Sequence, residues 1–478
     1  QIHGPDDPGT GPHQPHPCEP MIDPHLLTRL SEMVGKAHLI TDASCLSEYG
    51  TDATRLSFMP DAVVFPRDSD EVSQILALAT RHQVPVIPRG AGSGMSGGAL
   101  PVQGGLIMAM NRFDRILAID ADNLIVRVEP GVITAHLQQA VEALGLFYPP
   151  DPASLNISTI GGNVAECAGG LRAVKYGVTR DYVLGLKVVL PTGEILDTGV
   201  QTMKGVAGYD LTRLIIGSEG TLAVITAVTL RLIPKPEAKA TMIAFFPQVS
   251  AAVQTVSDIV RNRIIPTILE FMDRLSINCV REELELPIPL HAGAMLLIEV
   301  DGDEALLRRQ AETIKAVCLQ GGALHFEAAA NEEEAEQLWE ARRNVSPSLF
   351  KLNPHKINED VVVPRSRMAA LVSFLEQMAQ EYHLPIASFG HAGDGNIHVN
   401  IMLDKEDPEQ LDHARIAVNR LFQKVIEFHG TLTGEHGIGI TKAPYLEMEI
   451  PRPGLDLMVR IKKAFDPEGI LNPGKIFL

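Results

Sequence analysis

From Pro88 to Gly98 the chain reads Pro-Arg-Gly-Ala-Gly-Ser-Gly-Met-Ser-Gly-Gly, which contains G-x-G-x-x-G at Gly92, Gly94 and Gly97. A Rossmann loop of that pattern must open a helix whose N-terminus holds a pyrophosphate. Here Ala99-Leu100-Pro101-Val102-Gln103-Gly104-Gly105 follows, and its proline and glycines deny a helix of useful length. A Rossmann fold is therefore excluded by the segment's own context. What remains is either a nest of backbone N–H groups able to wrap a diphosphate or a glycine-rich structural loop.

Two further segments narrow the choice. Pro149-Pro150-Asp151-Pro152 leads into Thr159-Ile160-Gly161-Gly162-Asn163-Val164-Ala165, then Gly169-Gly170 and Lys175-Tyr176-Gly177. Gly208-Tyr209-Asp210-Leu211 precedes Gly217-Ser218-Glu219-Gly220-Thr221-Leu222-Ala223-Val224-Ile225-Thr226. Three such elements between Gly90 and Thr226 suggest one large ligand gripped at several points.

Net charge is −18 over 478 residues, which argues against a nucleic-acid binder because nothing would offset repulsion from phosphate. An anionic substrate must then be met by a local cluster of Arg, Lys or metal. The longest uncharged stretch, Gly90 to Asn111, is too rich in glycine to be a membrane helix. Five dispersed cysteines without C-x-x-C carry no linear iron–sulfur motif and fit a reducing, cytoplasmic compartment. Residues 1–20, with six prolines and three histidines, are expected to be a disordered extension or an expression remnant.

Periodicity predicts helices over Pro24–Val34, Asp68–His82 and Ile133–Leu144, and strands at Ala62–Pro66, Val84–Pro88, Leu106–Met110, Leu124–Val128 and Thr221–Ile233. Val183–Val189 and Ile195–Asp197 flank a hairpin turn at Pro191-Thr192-Gly193. Pro234-Lys235-Pro236 is a natural boundary. Beyond it, helices over Val249–Ile259, Asp303–Leu319, Asn331–Asn344, Arg367–Tyr382 and Asp407–Phe428 alternate with strands at Met295–Val300, Asn358–Val363 and Ile386–Phe389, an α+β pattern.

Gly390-His391-Ala392-Gly393-Asp394-Gly395-Asn396-Ile397-His398-Val399-Asn400 predicts a hairpin with a two-residue turn at Asp394-Gly395. Counting outward opposes His391 to His398, and directly opposed Cβ atoms lie about 4.5–5.5 Å apart, near enough to ligate one metal. Asn400 projects on the same face. Glu435-His436, between glycines, adds a carboxylate and a third histidine. The plain alternative is a set of surface or satisfied core histidines. In the helix over Asn331–Asn344, Arg342 shares the apolar face with Ala335, Leu338 and Trp339, where an unpaired charge is costly. It is either a structural salt bridge or a bidentate anion clamp. Arg343, nearer the edge, can snorkel.

The order of these motifs resembles the FAD domain of the vanillyl-alcohol-oxidase, PCMH-type flavoproteins, and within them the glycolate oxidase FAD subunit, FAD-linked D-lactate dehydrogenase and D-2-hydroxyglutarate dehydrogenase group. The resemblance runs from roughly Ala62 to Leu478. It implies an arm at 1–20, an FAD-binding domain at 21–235, an α+β substrate (cap) domain at 236–430, and a segment at 431–478 returning to the flavin site. FAD would be held noncovalently, because no histidine lies between Pro88 and Gly98. Its implied contacts are Arg89, Gly90, Ala91, Gly92, Ser93, Gly94, Met95, Gly97 and Gly98 in the first segment. Pro150, Asp151, Thr159, Gly161, Gly162, Asn163, Ala165, Tyr176 and Gly177 follow, then Glu219, Gly220, Ile225 and, in the tail, Asn472.

The resemblance further implies that His391, His398 and Glu435 bind a divalent metal, zinc or manganese, and that His436 is the general base. Arg342 would hold the substrate carboxylate, with Ser346, Lys356 and Asn400 as further substrate contacts. The family's next cationic residue would align nearest Asn358, two positions from Lys356, a departure that disfavours a dicarboxylate. The implied activity is oxidation of a small D-2-hydroxy acid, D-lactate or glycolate, by hydride transfer to flavin. An acceptor protein (iron–sulfur subunit, electron-transferring flavoprotein or quinone-linked protein) would take the electrons, with at most peripheral membrane association through it. Two rivals differ in what they would show. A metal-dependent hydrolase would copurify with no flavin, and a non-catalytic flavin relay subunit would bind FAD yet not bleach with any hydroxy acid.

Overall fold

The computed structural model describes residues 22–202, 204–282 and 286–477. The arm expected at 1–20 lies outside them. The helix Pro24–Val34 starts at Asp23, whose carboxylate accepts the Leu26 N–H at 2.8 Å, and Ser69–His82 starts at Asp68 in the same way, with Glu71 N–H at 2.9 Å. Leu26, Leu30 and Val34 meet Val72, Ile75 and Leu76 in one buried cluster, so these helices cover a small sheet ordered Leu39–Ile40, Ala62–Val64, Leu106–Ala109, Val86–Arg89. The strand Val86–Arg89 therefore delivers the first glycine segment from a buried edge. The C-terminal tail returns to that edge, where Val86 N–H donates to Ile470 O and Asn472 N–H to Val86 O, both at 2.8 Å.

A five-stranded antiparallel sheet follows, ordered Ile116–Asp120, Ile125–Val128, Val224–Arg231, Val183–Val189, Ile195–Gly199. The 183–189/195–199 hairpin forms around Pro191-Thr192-Gly193 as its turn signal requires. The strand expected from Thr221 begins only at Val224, because Ser218 to Thr221 forms a turn closed by Thr221 N–H to Ser218 O.

Residues 238–403 build a seven-stranded antiparallel sheet ordered His325–Ala328, Ala238–Phe246, Ala294–Gly302, Ile268–Asp273, Ile386–His391, Asn396–Leu403, His355–Val362. The strands Ala238–Phe246, Ile268–Asp273 and His325–Ala328 were not among the sequence expectations. One face packs its apolar residues against the helices Val249–Arg261, Met368–Tyr382 and Pro408–Glu427. The other carries Met272, Leu297, Phe389 and Met402 under Leu338 and Val345 of the helix Glu332–Ser348. That second face bears the polar residues of the site.

Candidate active site

The expected two-residue turn at Asp394-Gly395 is corrected. His391 pairs with Asn396 and His398 with Phe389, so the turn spans Ala392 to Gly395. It is closed by Gly395 N–H to His391 O at 3.0 Å and Asn396 N–H to Asp394 Oδ1 at 3.1 Å. A slip of two residues preserves the face on which every side chain lies. His391 and His398 thus remain neighbours, diagonal rather than opposed, with ring centroids 5.2 Å apart.

Glu435 comes from a different segment and reaches both rings. Its Oε1 lies 3.6 Å from Nε2 of His391 and 3.6 Å from Nε2 of His398. Ligand atoms about 2.1 Å from one ion at tetrahedral angles stand about 3.4 Å apart, so this donor set fits a divalent metal. Burial, then the His391 charge, lowers His398 to about 4, so its ring is neutral at neutral pH and keeps one nitrogen lone pair free. His391 is the opposite case. Burial opposes its charge, but Glu270 and Glu435 outweigh it and raise the imidazole well above its ordinary range.

Two carboxylates missed by the sequence reading hold this arrangement. Fully buried Glu270 accepts from His391 Nδ1 at 2.5 Å and from Arg342 Nε at 2.6 Å. Burial alone would raise its carboxyl, yet His391 and Arg342 bring it to about 2. Asp360 Oδ2 accepts the backbone N–H groups of Gly434 (3.0 Å), Glu435 (2.8 Å) and His436 (3.0 Å), and Oδ1 accepts from Asn396 Nδ2 at 2.5 Å. Asp360, His398, Glu435 and His436 also offer ligand atoms within 4.8 Å of one another. Asp360 is already saturated by these donors, so the His391, His398 and Glu435 set is the better cage. An acid between apolar neighbours, in Ile268-Leu269-Glu270-Phe271-Met272, is the signal that could have found Glu270.

Beside this centre opens a solvent-connected cleft with about 1370 Å³ of empty space, the open solvent at its mouth included. Arg89, Gly90, Ala91, Gly92, Ser93, Gly94, Met95 and Gly98 line it, as do Thr159, Gly161, Gly162, Asn163, Ala165, Glu219, Gly220, Ile225 and both Glu435 and His436. The first two glycine segments touch, since a Cβ on Gly90 would stand 2.4 Å from Thr159 Oγ1. At Gly92, φ is +67° and a side chain would strike the Arg89 guanidinium folded beneath, which donates to Thr51 O at 2.8 Å.

Gly97, Pro150, Asp151, Tyr176, Gly177 and Asn472, also expected near the flavin, are not on the wall of this cavity. Gly97 lies under Ile440, and Gly177 lies against Asp181. Pro150 O accepts from Gln138 at 2.9 Å. Asp151 is buried against Arg172, and burial pushes it up to about 7. Tyr176 OH donates to Asp301 of the large sheet at 2.9 Å. Asn472 Nδ2 donates to Gly98 O at 2.9 Å and Glu219 O at 2.7 Å, tying the first and third glycine segments together from behind.

The expected substrate contacts share the sheet face of the metal ligands but stand outside this cavity. Arg342 makes the salt bridge to Glu270 and lies 4.5 Å over the Phe389 ring. Among described residues its Nη groups have no hydrogen-bond partner. Arg343 snorkels to Glu336 at 2.6 Å. Lys356 Nζ donates to Ser346 Oγ at 2.7 Å, and Asn400 accepts from Asn358 at 2.7 Å.

This fold is shared with solved flavoproteins of the vanillyl-alcohol-oxidase, PCMH type. Substrate-bound p-cresol methylhydroxylase aligns with a TM-score of 0.78 at 17% identity, over 94% of this chain and 96% of that one. Alkyldihydroxyacetonephosphate synthase aligns at 0.77 and 20%, over 96% and 87%. Residues 60–199 match the FAD binding domain family and residues 235–476 the family of FAD linked oxidases, C-terminal domain. The chain belongs to the FAD-linked oxidases, and FAD is its cofactor. Glycolate oxidase subunit GlcD of Bacillus subtilis (strain 168) is 49% identical over 430 residues, 90% of this chain and 92% of that protein. D-lactate dehydrogenase of Anaerostipes hadrus is 35% identical over 473 residues (95% and 98%). D-2-hydroxyglutarate dehydrogenase of Stutzerimonas stutzeri is 32% identical over 466 residues (96% and 100%). No helix among the described residues is long and apolar enough to cross a membrane.

Proposed function

We propose that this oxidoreductase converts a small D-2-hydroxy acid, D-lactate or glycolate, to the 2-oxo acid. The carrying observation is Glu435 Oε1 at 3.6 Å from two imidazole nitrogens, with His436, the next residue, on the wall of the FAD cavity. FAD, when bound, accepts the hydride that leaves Cα. A divalent ion, zinc or manganese, held by His391, His398 and Glu435, would acidify the substrate hydroxyl. His436 takes the hydroxyl proton, so the substrate loses one hydride and one proton. Asp360 holds the backbone of Gly434 to His436 and so fixes the base. Arg342, its plane set by Phe389 and Glu270, offers its Nη groups to the carboxylate.

Lys356 is committed to Ser346, and burial lowers its ammonium, which favours a monocarboxylate over a dicarboxylate. The Bacillus relative is named as a subunit, which supports electron delivery to a partner protein, an iron–sulfur subunit or an electron-transferring flavoprotein. The test is the anaerobic flavin absorbance near ~450 nm of the holoprotein with D-lactate, L-lactate, glycolate and D-2-hydroxyglutarate. Bleaching by D-lactate or glycolate, and not by L-lactate, is expected. A flavin that none of the four bleaches overturns the assignment.

A further inference from the structure

A second cavity adjoins the first, with about 770 Å³ of empty space, and shares Glu166, Glu219 and Glu435 with it. Its other wall carries two arginines, Arg180 and Arg213, which belong to neither the glycine segments nor the histidine centre. Elsewhere around the site Arg89 is bonded to Thr51 O and Lys356 to Ser346, while Arg342, tied to Glu270 through Nε, keeps its Nη groups for the carboxylate at the reaction centre.

Arg180 and Arg213 are held loosely by comparison. Arg180 Nε donates to Cys167 Sγ at 3.1 Å, and its Nη groups have no hydrogen-bond partner among the described residues. Arg213 stands 3.6 Å from Asp210, both side chains being about 60% exposed (58% and 61%), so solvent screens that pair heavily. The three shared carboxylates do not cancel these charges. Glu435 faces two imidazoles, and Glu219 accepts the Ile438 and Gly439 N–H groups at 2.8 and 2.6 Å. Burial, with Glu219 beside it, pushes the Glu166 carboxyl well above the usual range and so disfavours a negative charge there.

We propose that this cavity is the access chamber for the anionic substrate, where Arg180 and Arg213 engage its carboxylate before it passes Glu435 to reach His436. The inference rests on the hydroxy-acid reading above. In a protein of net charge −18, a local pair of cations at a cleft mouth draws an anion against the overall field. That attraction weakens as salt screens it.

The test is steady-state oxidation of D-lactate and glycolate by the holoenzyme at low and high ionic strength, comparing wild type, R180Q/R213Q and R180K/R213K. The Gln pair is expected to raise KM about tenfold, to leave kcat within about twofold, and to remove most of the salt dependence of kcat/KM. The Lys pair is expected to stay within about twofold of wild type. If the Gln pair loses FAD, R213Q alone, on an exposed side chain, is expected to raise KM about threefold. Wild-type KM and salt dependence in the Gln variants, or equal impairment in the Lys pair, overturns the chamber. A wild-type enzyme that oxidises no hydroxy acid overturns the functional reading instead.

Discussion

Glu270 and His391, 121 residues apart, are joined by a 2.5 Å hydrogen bond across adjacent strands, and the same carboxylate holds Arg342 at 2.6 Å. Nδ1 of His391 is thereby fixed as the donor, which turns Nε2 toward Glu435. A carboxylate that orients a metal-binding imidazole is commonly worth about 10–100-fold in metal affinity. Glu270→Gln is expected to lower zinc or manganese affinity by about that factor, read by competition with a chelator. FAD content should be unchanged, because Glu270 does not line the flavin cavity. Equal affinity in both proteins would show that Glu270 has no such role.

What could be read without the structure follows the range of the interactions. The glycine segments, Glu435-His436 and the histidine hairpin are local patterns, and a two-residue error in the turn left the faces intact. Glu270 and Asp360 act through strand register, which no local pattern fixes between residues 270 and 391 or 360 and 435. Ile116–Asp120, a partly exposed edge strand, was missed even though Ile116-Leu117-Ala118-Ile119 is an apolar run. Asn472, Tyr176 and Asp151, expected near the flavin, have protein partners distant in sequence that no local pattern reveals.

Part-buried Glu359, its side chain 13% exposed and 4.0 Å from buried Lys442, gives a pH signature. Burial raises its carboxyl to about 7, against the pull of Lys442. A carboxyl with a raised folded-state pKa binds its proton more tightly when folded, so its contribution to stability falls as pH rises from about 4.3 through 7. Glu359→Gln cannot ionise. Its melting temperature should match wild type near pH 4 and exceed it near pH 8, with a slope difference of at most about 1.4 kcal/mol per pH unit between. A variant less stable than wild type at pH 8 would mean that the Lys442 pair outweighs burial.

His436 lies on the cavity wall with its ring stacked on His398 at 5.7 Å, and its backbone N–H is pinned by Asp360. As general base it should contribute about 10²–10⁴-fold to kcat. His436→Asn is expected to lose that factor in the rate of anaerobic flavin reduction while keeping FAD and metal content. A loss below about tenfold would assign the proton to another group.

Asn472 is the tail's anchor. It is buried, in a left-handed conformation at φ +44°, and its amide supplies donors to two buried carbonyls, Gly98 O and Glu219 O. Lys475 reinforces it by donating to Leu100 O at 2.6 Å and to Asn472 Oδ1 at 3.2 Å. Asn472→Ala strips both carbonyls of a partner, at about 1–3 kcal/mol for each buried group left unsatisfied. Because those carbonyls belong to the first and third glycine segments, the loss should appear at the flavin as well as in the fold. FAD dissociation should quicken by about tenfold or more, with a lower melting temperature in the apoprotein too. Asn472→Asp is the sharper variant. It nearly preserves shape but replaces the amide donor by a carboxylate oxygen facing two carbonyls, while Lys475 stays on the other oxygen, so it should release FAD faster than wild type near pH 8 and recover in part near pH 4 as it protonates. FAD retention unchanged in both variants would leave the tail a packing element with no hold on the flavin loops.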